Sequence, residues 1–255
     1  MMKVLVTGIQ GFIGTWTLFS LNKIGATVTG VDDRSSYGER LFDLIKGENL
    51  LENNYILDIT DKDNVEKIIA DNHFDLIIHL AAQAIVPRAF SNPYETFYTN
   101  TIGTLNLLEA WKNISKPCDF ICITSDKVYE NSNKGLPFAE SDILGGSDIY
   151  SISKSTCEFI VRSYAENHAN FVKGSLHTLR LGNVVGGGDW SVNRLIPDLI
   201  KSYSTDKKFY LRYANATRPF QHVLDVSMSI IELKNKMKKK LVKFHDFWNL
   251  GPKNN

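Results

Sequence analysis

The sequence predicts an α/β fold, a doubly wound parallel sheet with helices on both faces. Three observations carry that prediction. Short apolar runs alternate with segments of helical character, the order that builds a parallel sheet. The first run, Lys3-Val-Leu-Val-Thr7, is followed at once by glycines at 8, 11 and 14 and then by a helix-forming segment. Polar residues gather where apolar runs end, at Asp32, Asp58, Ser125 and Asp126. Ligands of such sheets bind at the carboxyl ends of the strands.

Composition narrows the class. A chain of 255 residues, 43% hydrophobic and 22% charged, suits one large domain, or one domain with a small appendage. A net charge of +1 gives no field that attracts nucleic acid or an anionic membrane, and neither is expected as a partner. Cys118, Cys122 and Cys157 are odd in number and form no C-x-x-C pair, which fits a reducing cytoplasm and core packing. No metal site is expected. The most apolar stretch, residues 76–86, is interrupted by His79 and Gln83 and is too short to span a bilayer. The lysine-rich residues 234–243 read as the solvated face of a helix.

The elements follow in order. Lys3–Thr7 suits a strand buried on both faces. Gly8-Ile-Gln-Gly11-Phe-Ile-Gly14 permits a tight turn and close approach of a pyrophosphate, and the helix over residues 15–23 offers its N–H groups to that anion. The G-x-x-G-x-x-G spacing points to a Rossmann-like nucleotide fold of the reductase type. Residues 27–31 form the second strand, and Asp32 at its end can bind the two hydroxyls of an adenosine ribose while repelling a 2′-phosphate. Arg34 complicates that preference for NAD, and Asp33 dilutes the arginine's charge. Residues 55–59 form the third strand; Asp58 serves either the adenine edge or as N-cap of the next helix.

Residues 74–79 form the fourth strand, and the small Ala81 and Ala82 at its exit admit a dinucleotide. His79 within it reads as a satisfied core histidine. Residues 93–111 form a helix, in which Asn100 needs partners if it faces the core. Residues 120–123 form the fifth strand and lead into Thr124-Ser125-Asp126-Lys127. Tyr150 and Lys154 lie four apart, on one face if the segment is helical. A lysine cation beside a phenol favours the phenolate, so Tyr150 is a plausible acid and base for a hydroxyl that becomes a carbonyl. Ser125 can hold the same oxygen, and Asp126 and Lys127 add a second acid and base that oxidation alone does not need. Tyr-x3-Lys by itself also occurs on many helices by chance. Residues 177–181 form the sixth strand and enter a glycine-rich loop, residues 182–190. Arg194, Arg212 and Arg218 suit a second pyrophosphate. Phe220-Gln-His222-Val-Leu-Asp225 leads into a last helix, and residues 247–252 read as a final strand and turn.

Thr7-Gly-x-x-Gly-Phe-Ile-Gly14, His79-Leu-Ala-Ala82, Tyr150-x3-Lys154 and Arg218-Pro-Phe-Gln-His-Val resemble the extended short-chain dehydrogenase/reductase superfamily. The finer resemblance is to the CDP-glucose 4,6-dehydratases. It rests on Leu80-Ala-Ala-Gln83, Thr124-Ser-Asp-Lys127, Leu144-Gly-Gly146, Gly182-Asn-Val-Val-Gly-Gly-Gly-Asp-Trp190, Arg194-Leu-Ile-Pro197 and Trp248-Asn-Leu-Gly-Pro252. Related dehydratases usually carry Asp-Glu at Asp126-Lys127. The resemblance implies NAD as cofactor, held by Gly8, Gly11, Phe12, Ile13, Gly14, Asp32, Asp58, Ile59, Leu80, Ala81, Ala82, Asn100, Tyr150 and Lys154. It implies a CDP-glucose or related sugar-nucleotide substrate, held by Gln83, Asn183, Arg194, Arg212 and Arg218, and a homodimer formed through helices near 93–111 and 147–168.

The implied chemistry is internal redox. Tyr150, with Ser125 and Lys154, takes the C4 hydroxyl proton while hydride passes to NAD. A base removes the C5 proton as Asp126 protonates the departing C6 hydroxyl, and hydride returns to C6. Lys127 is a candidate for the C5 base; a lysine must be neutral to act so. Three features depart from the family. Phe12-Ile13 replaces a frequent Phe-Lys, Asp32-Asp33 is more acidic than usual, and family members run beyond the Trp248–Pro252 block while this sequence stops at Asn255. On that ground residues 1–182 are expected as the NAD domain, and residues 183–255 as an interleaved, incomplete substrate lobe with impaired turnover. A 4-epimerase, needing only Ser125, Tyr150, Lys154 and NAD, and a catalytically silent NAD sensor are the competing readings.

Overall fold

The computed structural model describes residues 1–34, 40–131, 135–170, 172–211 and 214–252. Seven parallel strands form the main sheet. They are β1 (Lys3–Thr7), β2 (Thr27–Asp32), β3 (Asn53–Ile56), β4 (Leu76–His79), β5 (Asp119–Ser125), β6 (Leu176–Leu181) and, last in the chain, β9 (His245–Leu250). Their spatial order is β3-β2-β1-β4-β5-β6-β9, so the order reverses between β1 and β4. A second pair, β7 (Asn183–Val185) and β8 (Phe220–His222), lies apart and is also parallel. The helices are α1 (Phe12–Lys23), α2 (Leu41–Leu44), α3 (Lys62–Asp71), α4 (Val86–Ser91), α5 (Pro93–Lys112), α6 (Ile149–His168), α7 (Leu195–Ser204) and α8 (Val223–Lys238). None of them is long and apolar enough to cross a membrane among the described residues.

Successive residues of a strand face opposite sides of the sheet, and here both sides are covered. Val4, Val6, Leu76, Ile78, Ile121 and Ile123 pack with Leu18 and Leu21 of α1 and Val226 and Ile230 of α8. Leu5, Ile77, Phe120 and Cys122, the alternate positions, pack with Ile68 and Ile69 of α3, Leu107, Leu108 and Trp111 of α5, and Val161 of α6. The residues after 182 do not form a body by themselves. β9 is the sheet's seventh strand and α8 covers α1.

Four sequence expectations are corrected here. Helix α1 begins at Phe12 rather than Thr15, with Gly14 inside its first turn. A Cβ on Gly14 would stand 2.0 Å from the Gly8 carbonyl oxygen, so this glycine seats the helix on the turn. β3 occupies Asn53–Ile56 rather than residues 55–59, because its partner β2 ends at Asp32, opposite Ile56. The loop 182–190 contains a strand, β7. Of the lysines at 234–243, Lys234 is the exception to a solvated face: half-buried, its Nζ donates to Asp119 Oδ2 (2.7 Å) and to the Asp75 carbonyl (2.9 Å), tying α8 to the entry of the sheet, while Lys236, Lys238, Lys239, Lys240 and Lys243 are exposed.

Candidate active site

A cleft of about 2930 Å³ opens across the carboxyl ends of the strands. Gly8, Gly11, Phe12, Ile13, Gly14, Asp32, Asp58, Ile59, Leu80, Ala81 and Ala82 line it. So do Gln83, Ser125, Asp126, Lys127, Tyr150, Lys154, Asn183, Arg194 and Arg218. Asn100 is buried outside that lining. Arg212 lies outside the described residues.

The nucleotide end is shaped by backbone. Gly8 has φ +71°, and a Cβ there would meet the Ala81 nitrogen at 2.7 Å, so turn and β4 exit touch main chain to main chain. Helix α1 has Gly11 as N-cap and no side-chain cap, which leaves first-turn N–H groups for an anion. Asp32 Oδ2 accepts the Gln10 N–H and Oδ1 the Arg34 N–H, both at 2.9 Å. Burial pushes its carboxyl above the usual range, against those two hydrogen bonds. An anion-ready helix terminus and a carboxylate one strand away fit a dinucleotide.

Asp58 is exposed in the loop beyond β3, where its Oδ1 accepts the Thr60 N–H at 2.8 Å. The N-cap of α3 is Asp61, which accepts the Asn64 N–H, so the capping alternative for Asp58 is overturned.

The catalytic end joins β5 to α6. Asp148 caps α6 by accepting the Ser151 N–H at 3.0 Å. Tyr150 and Lys154 follow, both buried, and Lys154 Nζ donates to the Ile123 carbonyl at 3.1 Å. β5 ends at Ser125 and passes into a single 3₁₀ turn, Asp126–Val128. Ser125 Oγ donates to Asp126 Oδ1 (3.1 Å) and accepts the Lys127 N–H (3.2 Å). Burial raises the Asp126 carboxyl above the usual range, against the Ser125 hydrogen bond and the charges of Lys127 and Arg218. It therefore keeps its proton to a higher pH than an exposed aspartate, as an acid catalyst should. Lys127 is exposed in the cleft.

Two amides hold the turn after β4. Gln83 Nε2 donates to Thr96 Oγ1 (2.7 Å) and the Ile85 carbonyl (3.2 Å), and its Oε1 accepts the Ile85 N–H (2.7 Å). Asn100 accepts the Gln83 N–H (2.8 Å) and donates to the Gln83 carbonyl (3.1 Å) and Ser153 Oγ (2.8 Å). Both serve the turn after β4. His79 is a core residue between Thr7 Oγ1 (2.8 Å) and Thr104 Oγ1 (2.9 Å). At the far side Arg194, the N-cap residue of α7, reaches Asp189 Oδ2 at 3.4 Å, and Arg218 Nη1 donates to the Thr217 carbonyl.

Sequence reasoning missed Gln10, whose Oε1 accepts from Arg40 at 2.6 Å, and the buried pair Arg180–Glu158. Glu158 carried a signal, lying one turn beyond Lys154 on the same face. Arg180 carried none, being 22 residues from its partner.

Fold and site together define the class, an enzyme of the Rossmann type that depends on a dinucleotide. The chain belongs to the NAD dependent epimerase/dehydratase family, whose model matches residues 4–243, and NAD is its cofactor. It is 34% identical over 256 residues to the CDP-glucose 4,6-dehydratase of Salmonella typhimurium, covering 98% of this chain and 71% of that one. It is 30% identical over 232 residues to UDP-glucuronate 4-epimerase 4 of Arabidopsis thaliana, covering 88% and 52%. The crystal structure of UDP-glucuronic acid 4-epimerase from Bacillus cereus, in complex with UDP-glucuronic acid and NAD, superposes with a TM-score of 0.84 at 26% identity, covering 99% and 78%.

Proposed function

We propose that the chain is a sugar-nucleotide 4,6-dehydratase and that its substrate is CDP-glucose. The observation that carries this reading is Asp126, to which Ser125 Oγ donates at the carboxyl end of β5, in the cleft that Tyr150 also lines, and whose carboxyl is raised above the usual range by burial. The likeness to a dehydratase named for CDP-glucose supports the substrate. NAD would lie along Gly11, Gly14 and Asp32, and when bound it supplies the hydride acceptor and donor. Tyr150 takes the C4 hydroxyl proton, with Ser125 holding the oxygen and the Lys154 cation nearby. Asp126 gives its proton to the C6 hydroxyl, which leaves as water, and Lys127 is the candidate that accepts the C5 proton and returns it to C5 when hydride comes back to C6. Arg194 and Arg218 face the substrate's diphosphate; Arg212 completes that set as a sequence-based proposal.

The NAD-loaded chain is incubated with CDP-, dTDP- and UDP-glucose and the products are identified by mass and NMR. The expected product is a 4-keto-6-deoxy sugar from CDP-glucose, lighter by one water. An isomer of unchanged mass, inverted at C4, would establish the epimerase reading, which the Arabidopsis and Bacillus relatives favour. Tyr150→Phe should abolish turnover with NAD affinity intact. Asp126→Asn should lower product formation by about 100-fold or more, the usual contribution of a general acid, with reduced NAD building up on substrate addition.

The working unit is proposed as a homodimer. Helices α5 and α6 leave Tyr94, Phe97, Tyr98, Ile152 and Phe159 exposed, an apolar face a second copy would cover. Light scattering that gives a monomer mass would reject it.

A further inference from the structure

Asp126 and Lys127 sit on a single 3₁₀ turn, and the chain is gripped on both sides of it by one buried cluster. On the near side, Thr124 Oγ1 donates to Glu158 Oε1 at 2.5 Å. On the far side, the Tyr129 hydroxyl accepts from Arg180 Nη1 (2.7 Å) and donates to Asn249 Oδ1 of β9 (2.6 Å). Arg180 and Glu158 join the two grips by a fork, Nε to Oε1 and Nη2 to Oε2, each at 3.0 Å, with both side chains 3% exposed. Arg180 also donates to the Glu140 carbonyl (3.0 Å), and Tyr129 stacks on Phe138, 4.7 Å between ring centres. Glu158 stands on α6 with Tyr150 and Lys154.

We propose that the Arg180–Glu158 pair, acting through Thr124 and Tyr129, is a positioning device that sets the Asp126-Lys127 turn against Tyr150. Two of the oxidation groups have supports outside the gripped turn, Tyr150 on α6 and Lys154 at the Ile123 carbonyl, whereas Ser125 leads directly into it. Loosening the grip therefore displaces the water-loss acid while Tyr150 and Lys154 stay in place. Tyr129 carries the sharpest test, because Phe keeps the ring on Phe138 and removes only the hydroxyl that bridges Arg180 and Asn249. The inference rests on the dehydratase reading for its kinetic consequence, and on the fold alone for its structural one.

Hydrogen exchange is measured on the NAD-loaded chain without substrate, in wild type, Tyr129→Phe and Arg180→Lys. The Lys127 amide should exchange at least tenfold faster in both variants, while the β5 ladder from Phe120 to Ile123 keeps its protection. Equal protection of Lys127 in all three overturns the proposal, whatever the chain catalyses. With CDP-glucose added, Tyr129→Phe should accumulate reduced NAD and release 4-keto-6-deoxy product about tenfold more slowly. In an Asp126→Asn background it should add nothing, since the device acts through that carboxyl. Effects that multiply, or a matching loss in the oxidation step, also overturn it. A wild-type chain that makes no 4-keto-6-deoxy product refutes the dehydratase reading instead, and the exchange result then decides the positioning.

Discussion

Asp32 meets the cleft with both carboxylate oxygens already receiving backbone N–H groups, so its orientation is fixed before a ribose arrives. Hydroxyls can share such a carboxylate, whereas a 2′-phosphate would meet its charge. NAD should therefore bind more tightly than NADP, and Asp32→Ser should narrow the difference. Titration of both cofactors checks this, and tighter NADP binding by the wild type would defeat the assignment. His79 makes a prediction about pH. Burial, and then the charge of Lys154, push its pKa down to about 3. An unfolded histidine protonates near pH ~6.5. Between those values the unfolded chain binds one proton more than the folded one, so stability falls as pH falls through the window. In urea titrations from pH 7 to pH 4.5, the pH slope of the unfolding free energy should be shallower in His79→Gln by up to about 1.4 kcal/mol per pH unit. An unchanged slope would mean that His79 is not held neutral.

The glycine-rich loop after β6 is wedged between helices. Trp16 of α1 donates its indole N–H to the Gly187 carbonyl at 2.9 Å. Gly188 has φ +91°, and a Cβ there would meet the Leu41 Cβ of α2 at 2.6 Å, while one on Gly187 would meet nothing within 4 Å. Asp189, next in the chain, holds Arg194. Gly188→Ala should thus cost about 2 kcal/mol, from the left-handed backbone and the contact with Leu41, and should raise the KM for the sugar nucleotide. Gly187→Ala should leave both unchanged. Thermal melts and steady-state kinetics on the two variants separate them, and equal behaviour would contradict the wedge. The glycines at 8, 11 and 14 and the pair Tyr150 and Lys154 were legible because each motif is local: a strand, a turn, one helix face. β3 was misplaced because its end is dictated by β2, a partner the local pattern does not reveal. Arg180 was illegible for the same reason, since a buried charge is justified only by a partner brought up by the sheet.

The last strand and helix of the described residues enter the main body. β9 pairs with β6 from Leu176–His245 to Leu181–Leu250, and α8 supplies Val226 and Ile230 to the core beside Leu18 and Leu21. Residues 1–182, expected as the NAD domain, contain neither element, so we propose that this piece does not fold alone. A chain cut after residue 182 should show no cooperative melt by circular dichroism and no NAD binding by calorimetry. A sharp melt with full NAD affinity would prove the cut piece autonomous. The pairing of α1 with α8 also has a temporal side. A ribosome adds about 5–20 residues per second, so α1 emerges roughly 10–40 s before the helix that covers it. Throughout that interval Leu18 and Leu21 lack their cover, and sticky surface of this kind is what chaperones bind and what aggregates in their absence. Translation speed, and not only the stability of the finished fold, sets how long each nascent copy stays vulnerable.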